Sequence, residues 1–157
     1  MQTALFEKIT SQRERILALW KAAALPQDRG LPAKATAKSG LSVPIDELQR
    51  ERIDALLDWL VSAEEPAAAR EHLREICKVK AVLAQTPSEA LGFILELKRI
   101  IRLVVDGPAA DGKDLNELDK RIDQLMLLAF DEYSDCRERL MEVKVNEMRR
   151  LAGRYAS

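Results

Sequence analysis

Apolar residues recur every three or four positions through most of this chain, and proline- or glycine-rich breaks divide that pattern into five helical segments. The first covers about Leu5 to Leu25. Leu5, Ile9, Ile16, Trp20 and Ala24 line one face, with Phe6 and Leu17 beside them, and Pro26 stops it. The stretch from Pro26 to Pro44 has no helical period and reads as a long connecting loop. A second helix starts near Pro44, with Asp46 and Glu47 in its first turn and Ile45, Leu48, Ile53, Leu56, Leu57 and Leu60 as its apolar face. Pro66 then opens a third, whose stripe is Ala69, Leu73, Ile76, Val79 and Leu83.

The fourth helix carries the clearest start signal. Thr86 fits the N-cap, Pro87 the first helical position and Glu89 the reciprocal acceptor of a capping box. Taking Leu97 as reference, Ala90, Phe93, Ile100, Ile101 and Val104 fall within about 60° of it and form the core face. Ser88, Gly92, Leu95 and Arg99 form a second, narrower stripe opposite, flanked by Leu91 and Leu103. Glycine in a helix costs roughly 1 kcal/mol relative to alanine, so the reading is that another backbone comes close there. That backbone belongs either to the same chain or to a partner. Lys98, Arg99 and Arg102 lie off the core face, and the guanidinium groups of Arg99 and Arg102 can pair with acids of a partner or of the fifth helix.

The fifth helix begins near Leu115 and meets no breaker until Gly153, a run of ~38 residues and roughly 57 Å. Leu115, Leu118, Ile122, Leu125, Ala129, Tyr133, Cys136, Leu140 and Val143 step by three or four along it. Its length exceeds that of an ordinary globular helix, so its second half is expected to pair with another helix or to project.

Composition narrows the class. The 157 residues suit one domain, residues 1–157. With 32% charged and 4% aromatic residues they favour an all-α helical bundle. Net charge is −1, dispersed along the chain, which argues against nucleic-acid binding. No apolar run is long enough to insert in a membrane, and "MQTALFEKITSQRER" lacks the layout of a secretory signal. Two distant cysteines, Cys77 and Cys136, read as reduced thiols in a cytoplasmic protein.

Candidate chemistry is sparse. His72 is the sole histidine and, about 40° from Ile76, falls within the stripe of the third helix. Cys77 points about 140° away from it, so the pair cannot chelate one metal from a single helix face. The acidic residues mostly alternate with Lys and Arg, as in "DKRIDQ", which suits solvated faces. No nucleophile elbow, phosphate loop or metal-ligand cluster occurs, so no enzyme activity, cofactor or metal is expected.

"TPSEALGFILELKRIIR" and "LDKRIDQLMLLAFDEYSDCRERLMEVKVNEMRR" resemble the RsbRD N-terminal domain family, named for the RsbT co-antagonist proteins of the bacterial stressosome. The likeness is strongest from Ile76 to Arg150 and weaker over "RERILALW" and "LQRERIDALLDWL". It implies an all-helical sensory or interaction module, globin-like without haem, that forms homodimers and leads through its last helix towards a signalling output. The sequence ends at Ser157 without a STAS domain, so phosphorylation-dependent signalling is not carried over. "SGLSVPIDEL" lacks the Asn-Pro stretch of many members, so no ligand role is assigned to it.

The resulting expectation is a non-enzymatic regulatory module that dimerises through its long helices and docks on a signalling protein. Two surfaces are expected to carry this: Gly92, Leu95 and Arg99 on the fourth helix, and Tyr133, Arg137, Leu140, Lys144 and Glu147 on the fifth. The alternative is a small-molecule or haem-like sensor with a pocket near His72 and Phe93.

Overall fold

Helices account for nearly all of the computed structural model, which describes residues 4–25, 42–105 and 112–156. In chain order they are α1 (Ala4–Ser11), α2 (Arg13–Ala24), α3 (Ser42–Leu60), α4 (Arg70–Val82), α5 (Pro87–Val104) and α6 (Gly112–Ala156), with one 3-10 turn, Pro66–Ala69, leading into α4. The described residues contain no strand. The fold is all-α, with six described helices where the sequence pattern showed five. The extra one arises because the first segment breaks at Gln12, whose φ is −104° and ψ 17°. Thr10 and Ser11 donate their hydroxyls back to the carbonyls of Phe6 and Lys8, both at 2.9 Å, and such back-bonding bends a helix. The loop expected over 26–44 lies outside the described residues as far as position 41.

α6 is the spine of the bundle. α4 and α5 pack along it, α2 lies on α5, and α3 lies on α4. The core draws on every helix: Ile9, Trp20, Leu56, Leu73, Leu97, Ile122 and Tyr133 are among its buried residues. The Trp20 indole N–H donates to the Phe93 carbonyl at 2.8 Å, fastening α2 to the middle of α5 without leaving its polar atom unpaired. Three expected core positions are not in the core: Val79 and Leu83 are only half-buried, and Leu48 faces solvent. Gln49 is buried instead of Leu48, because Leu48 lies about 140° around α3 from Ile53.

Long-range cations cap the helix ends. Arg121 of α6 donates to the carbonyls of Trp59, Leu60 and Glu64 at 2.7, 3.0 and 3.3 Å, and its guanidinium sits 4.1 Å over the Trp59 ring. It thereby adds a donor to the carbonyls of the last two residues of α3, of which Trp59 O also accepts from Ser62. Buried Lys80 does the same for α2, donating to Ala24 O at 2.9 Å with its ammonium 5.0 Å from the Phe93 ring centre. Burial brings the Lys80 ammonium down to about 8 from its ordinary value of 10.5. α5 opens with the capping box expected from Thr86 and Glu89, both reciprocal bonds being present.

Candidate functional site

The first part of α6 turns one line of side chains, Leu118, Ile122, Leu125, Ala129, Tyr133 and Cys136, into the bundle. Glu132 is buried beside that line and accepts from Arg70 at 3.1 Å and from Arg74 at 3.2 and 3.4 Å, locking α4 to α6. Burial pushes the Glu132 carboxyl up, but the two guanidiniums outweigh it and hold it below its ordinary value. Beyond Leu140 the bundle ends. Every residue from Met141 to Arg154 is exposed, and α6 continues as an arm.

A second line runs along the opposite side of α6. Leu127, Phe130, Ser134, Arg137, Met141, Val145 and Met148 step by three or four and lie within about 40° of Met141, roughly 140° around the helix from Cys136. Leu127, Phe130, Met141 and Met148 are each more than half exposed, and Val145 is 37% exposed. Spacing of this kind over six turns makes one exposed, largely apolar line along the helix, the outer seam.

The expected stripe on α5 adjoins this seam. Lys98 pairs with Asp123 at 2.5 Å and Arg102 with Asp119 at 2.7 Å, which sets α5 and α6 antiparallel in a fixed register. One turn further, that register brings Leu95 alongside Leu127. Leu95 is 51% exposed, and Arg99 reaches only Glu96 on its own helix, at 2.7 Å. The close approach expected at Gly92 is not found among the described residues: a Cβ placed there meets nothing within 4 Å. No described part of this chain therefore accounts for the glycine.

The five residues expected on the last helix do not form one surface. Tyr133 is corrected to a core residue. It is 2% exposed, and its hydroxyl donates to Gln85 O, where the turn after α4 passes close to α6. Arg137 donates to the same carbonyl at 3.2 Å while remaining exposed on the outer seam. Lys144 borders that seam. Leu140 and Glu147 fall instead on the bundle-facing line, Leu140 half-buried and Glu147 on the exposed arm.

Where α4 stops and α6 continues, the two helices leave a notch of about 290 Å³ lined by Arg74, Lys78, Ala81, Val82, Asp135, Cys136, Arg139, Leu140 and Val143. No sequence signal pointed to it, since it exists only because one helix outruns its neighbour. Burial raises the Cys136 thiol and pushes that of Cys77 up to about 12, so both stay protonated and poorly nucleophilic at neutral pH.

The pocket expected near His72 and Phe93 is also corrected. His72 is only half-buried and turns towards α3, where its Nδ1 lies 3.0 Å from Arg52. Phe93 faces the other way into the core, 5.8 Å from the Trp20 ring and against Lys80. Neither lines the notch. The described residues hold no group of three or more His, Cys, Asp or Glu arranged for a metal, and no described helix is long and apolar enough to cross a membrane.

What this arrangement offers is surface: an outer seam and a notch on two sides of one long helix. Comparison with known proteins agrees with a regulatory domain type. No curated protein and no solved structure gives a significant match. The family model for the RsbT co-antagonist protein rsbRD N-terminal domain matches residues 15–148, which takes in α3, α4 and α5 whole, all but the first two residues of α2, and α6 as far as Met148. On that match, over most of its length, this chain belongs to the RsbRD N-terminal domain family.

Proposed function

We propose that this domain is a non-enzymatic, cytoplasmic regulatory module of the stressosome type, which self-associates through the outer seam of α6 and docks on a separate signalling protein. The observation that carries this reading is the seam itself. Leu127, Phe130, Met141 and Met148 stand in solvent along one line of a single helix. Leu95 widens the seam where α5 lies beside it. From Leu127 to Met148 the strip is roughly 32 Å long, and α5 widens it only at its Leu127 end. Family membership supports the regulatory class, and two buried free cysteines suit a reducing compartment.

Light scattering on the purified chain tests the self-association. The wild type is expected to be a dimer at micromolar concentration, and the double variant Phe130→Glu, Met148→Glu a monomer with unchanged helical circular dichroism. A wild type that stays strictly monomeric removes this part of the proposal.

A further inference from the structure

We propose that Met141 and Met148 are modification sites through which a peroxide controls the self-association of this domain: oxidised to sulfoxides, they keep two copies apart. This rests on the reading that the outer seam carries the self-association, and gives that reading a chemical control. The sulfur-bearing side chains among the described residues are Cys77, Met126, Cys136, Met141 and Met148, and the fold sorts them. Cys77 and Cys136 are buried, and burial keeps both thiols protonated, so neither offers the thiolate that a peroxide attacks readily. Met126 is half-buried against the core. Met141 and Met148 stand in solvent, 58% and 69% exposed. The two sulfurs that an oxidant reaches most easily are therefore both on the seam.

Position turns this reactivity into a control. The two thioethers are two turns apart, about 10 Å along α6, and within about 20° of each other around it, so both lie on the midline of the seam. A second copy seated on the seam covers both, and its own pair as well. Oxidation transfers one oxygen atom. The sulfur lone pair attacks hydrogen peroxide, the O–O bond breaks, an S–O bond forms and water leaves. The sulfur loses two electrons and the peroxide gains them. The product is a polar side chain, and burying it between two apolar lines costs more than burying a thioether. Pairing and oxidation therefore exclude each other: the paired chain shields its sulfurs, and the oxidised chain does not pair.

Hydrogen peroxide added to the full chain tests it, with mass spectrometry to locate the oxygen and light scattering to read the assembly. Wild type is expected to gain oxygen at Met141 and Met148 before Met126. Its dimer should then weaken about tenfold or more, with helical circular dichroism unchanged. The double variant Met141→Leu, Met148→Leu, close to wild type in volume, is expected to dimerise before and after the same treatment. Oxidation of the two methionines is also expected to slow as protein concentration rises through the dimer range, because pairing hides them. A treated wild type that stays dimeric, equal dissociation of the Leu variant, or a rate independent of concentration overturns the proposal. A chain that is monomeric before any peroxide is added overturns the self-association as well, whereas a dimer indifferent to peroxide leaves the self-association standing.

Discussion

The two ends of α6 follow the same apolar periodicity and meet opposite fates. From Leu118 to Cys136 its apolar line is buried, and its charges are spent on neighbours: Asp119 and Asp123 on α5, Arg121 on the end of α3, Glu132 on α4. From Met141 to Arg154 every residue is exposed. One continuous helix thus serves as core in its first half and as offered surface in its second. The difference teaches that periodicity creates a face, while the reach of the neighbouring helices decides whether that face is core.

The contrast between covered and uncovered positions should show most sharply between Trp20, in the core on α2, and Met148 on the arm. Trp20→Ala removes a fully buried ring and its bond to Phe93 O, and should cost about 3–5 kcal/mol in urea denaturation. Met148→Ala on the arm should change the stability of the monomer by less than about 0.5 kcal/mol. Comparable losses at both sites would mean that the arm is packed in solution.

Glu132 comes next, because it joins the spine to α4. Glu132→Ala leaves Arg70 and Arg74 without their shared acceptor and should cost about 1–3 kcal/mol at neutral pH. Its folded pKa lies below the ordinary value, so the folded state holds its proton less tightly than the unfolded chain. The stability it adds is therefore fully present above the ordinary carboxylate value of 4.5 and is lost as pH falls below that, through the lowered folded value. Thermal unfolding from pH 7 to pH 3 should narrow the gap between wild type and variant. A gap that stays constant over that range removes the charge-based account.

Gly92 gives the smallest effect and the finest discrimination. A Cβ there meets nothing in the described chain, so Gly92→Ala should stabilise the isolated domain by about 0.5–1 kcal/mol through helix propensity. If the same substitution weakens self-association in light scattering, a backbone of the second copy is what approaches it.

Much of the fold was legible. The capping box at Thr86 and the core face around Leu97 form as the residue types predict, because both depend on contacts within a turn or on one helix's own periodicity. Pairing of Arg102 with α6 was among the readings of its place off the core face, whereas Arg99, read the same way, pairs with Glu96 on its own helix. Other features were not legible. The bend at Gln12 arises from hydroxyls folding back on the turn before it. Lys80 and Arg121 look like ordinary surface cations in sequence, and only their distance to helix ends far along the chain makes them caps. The candidate surfaces fared similarly. Leu95 and Arg99 are exposed, yet Tyr133 is core, because its ring shares the line of Ala129 and Cys136 and its hydroxyl finds Gln85 O from within.

By itself the sequence determined that the chain is helical, where most helices begin and end, and which side of each is apolar, since propensity, capping and periodicity are local properties of the chain. Only the tertiary structure decided which apolar lines are covered. That depends on where one helix stops beside another: α4 ends at Val82 and α6 does not, and the notch and the exposed arm follow from that difference in length.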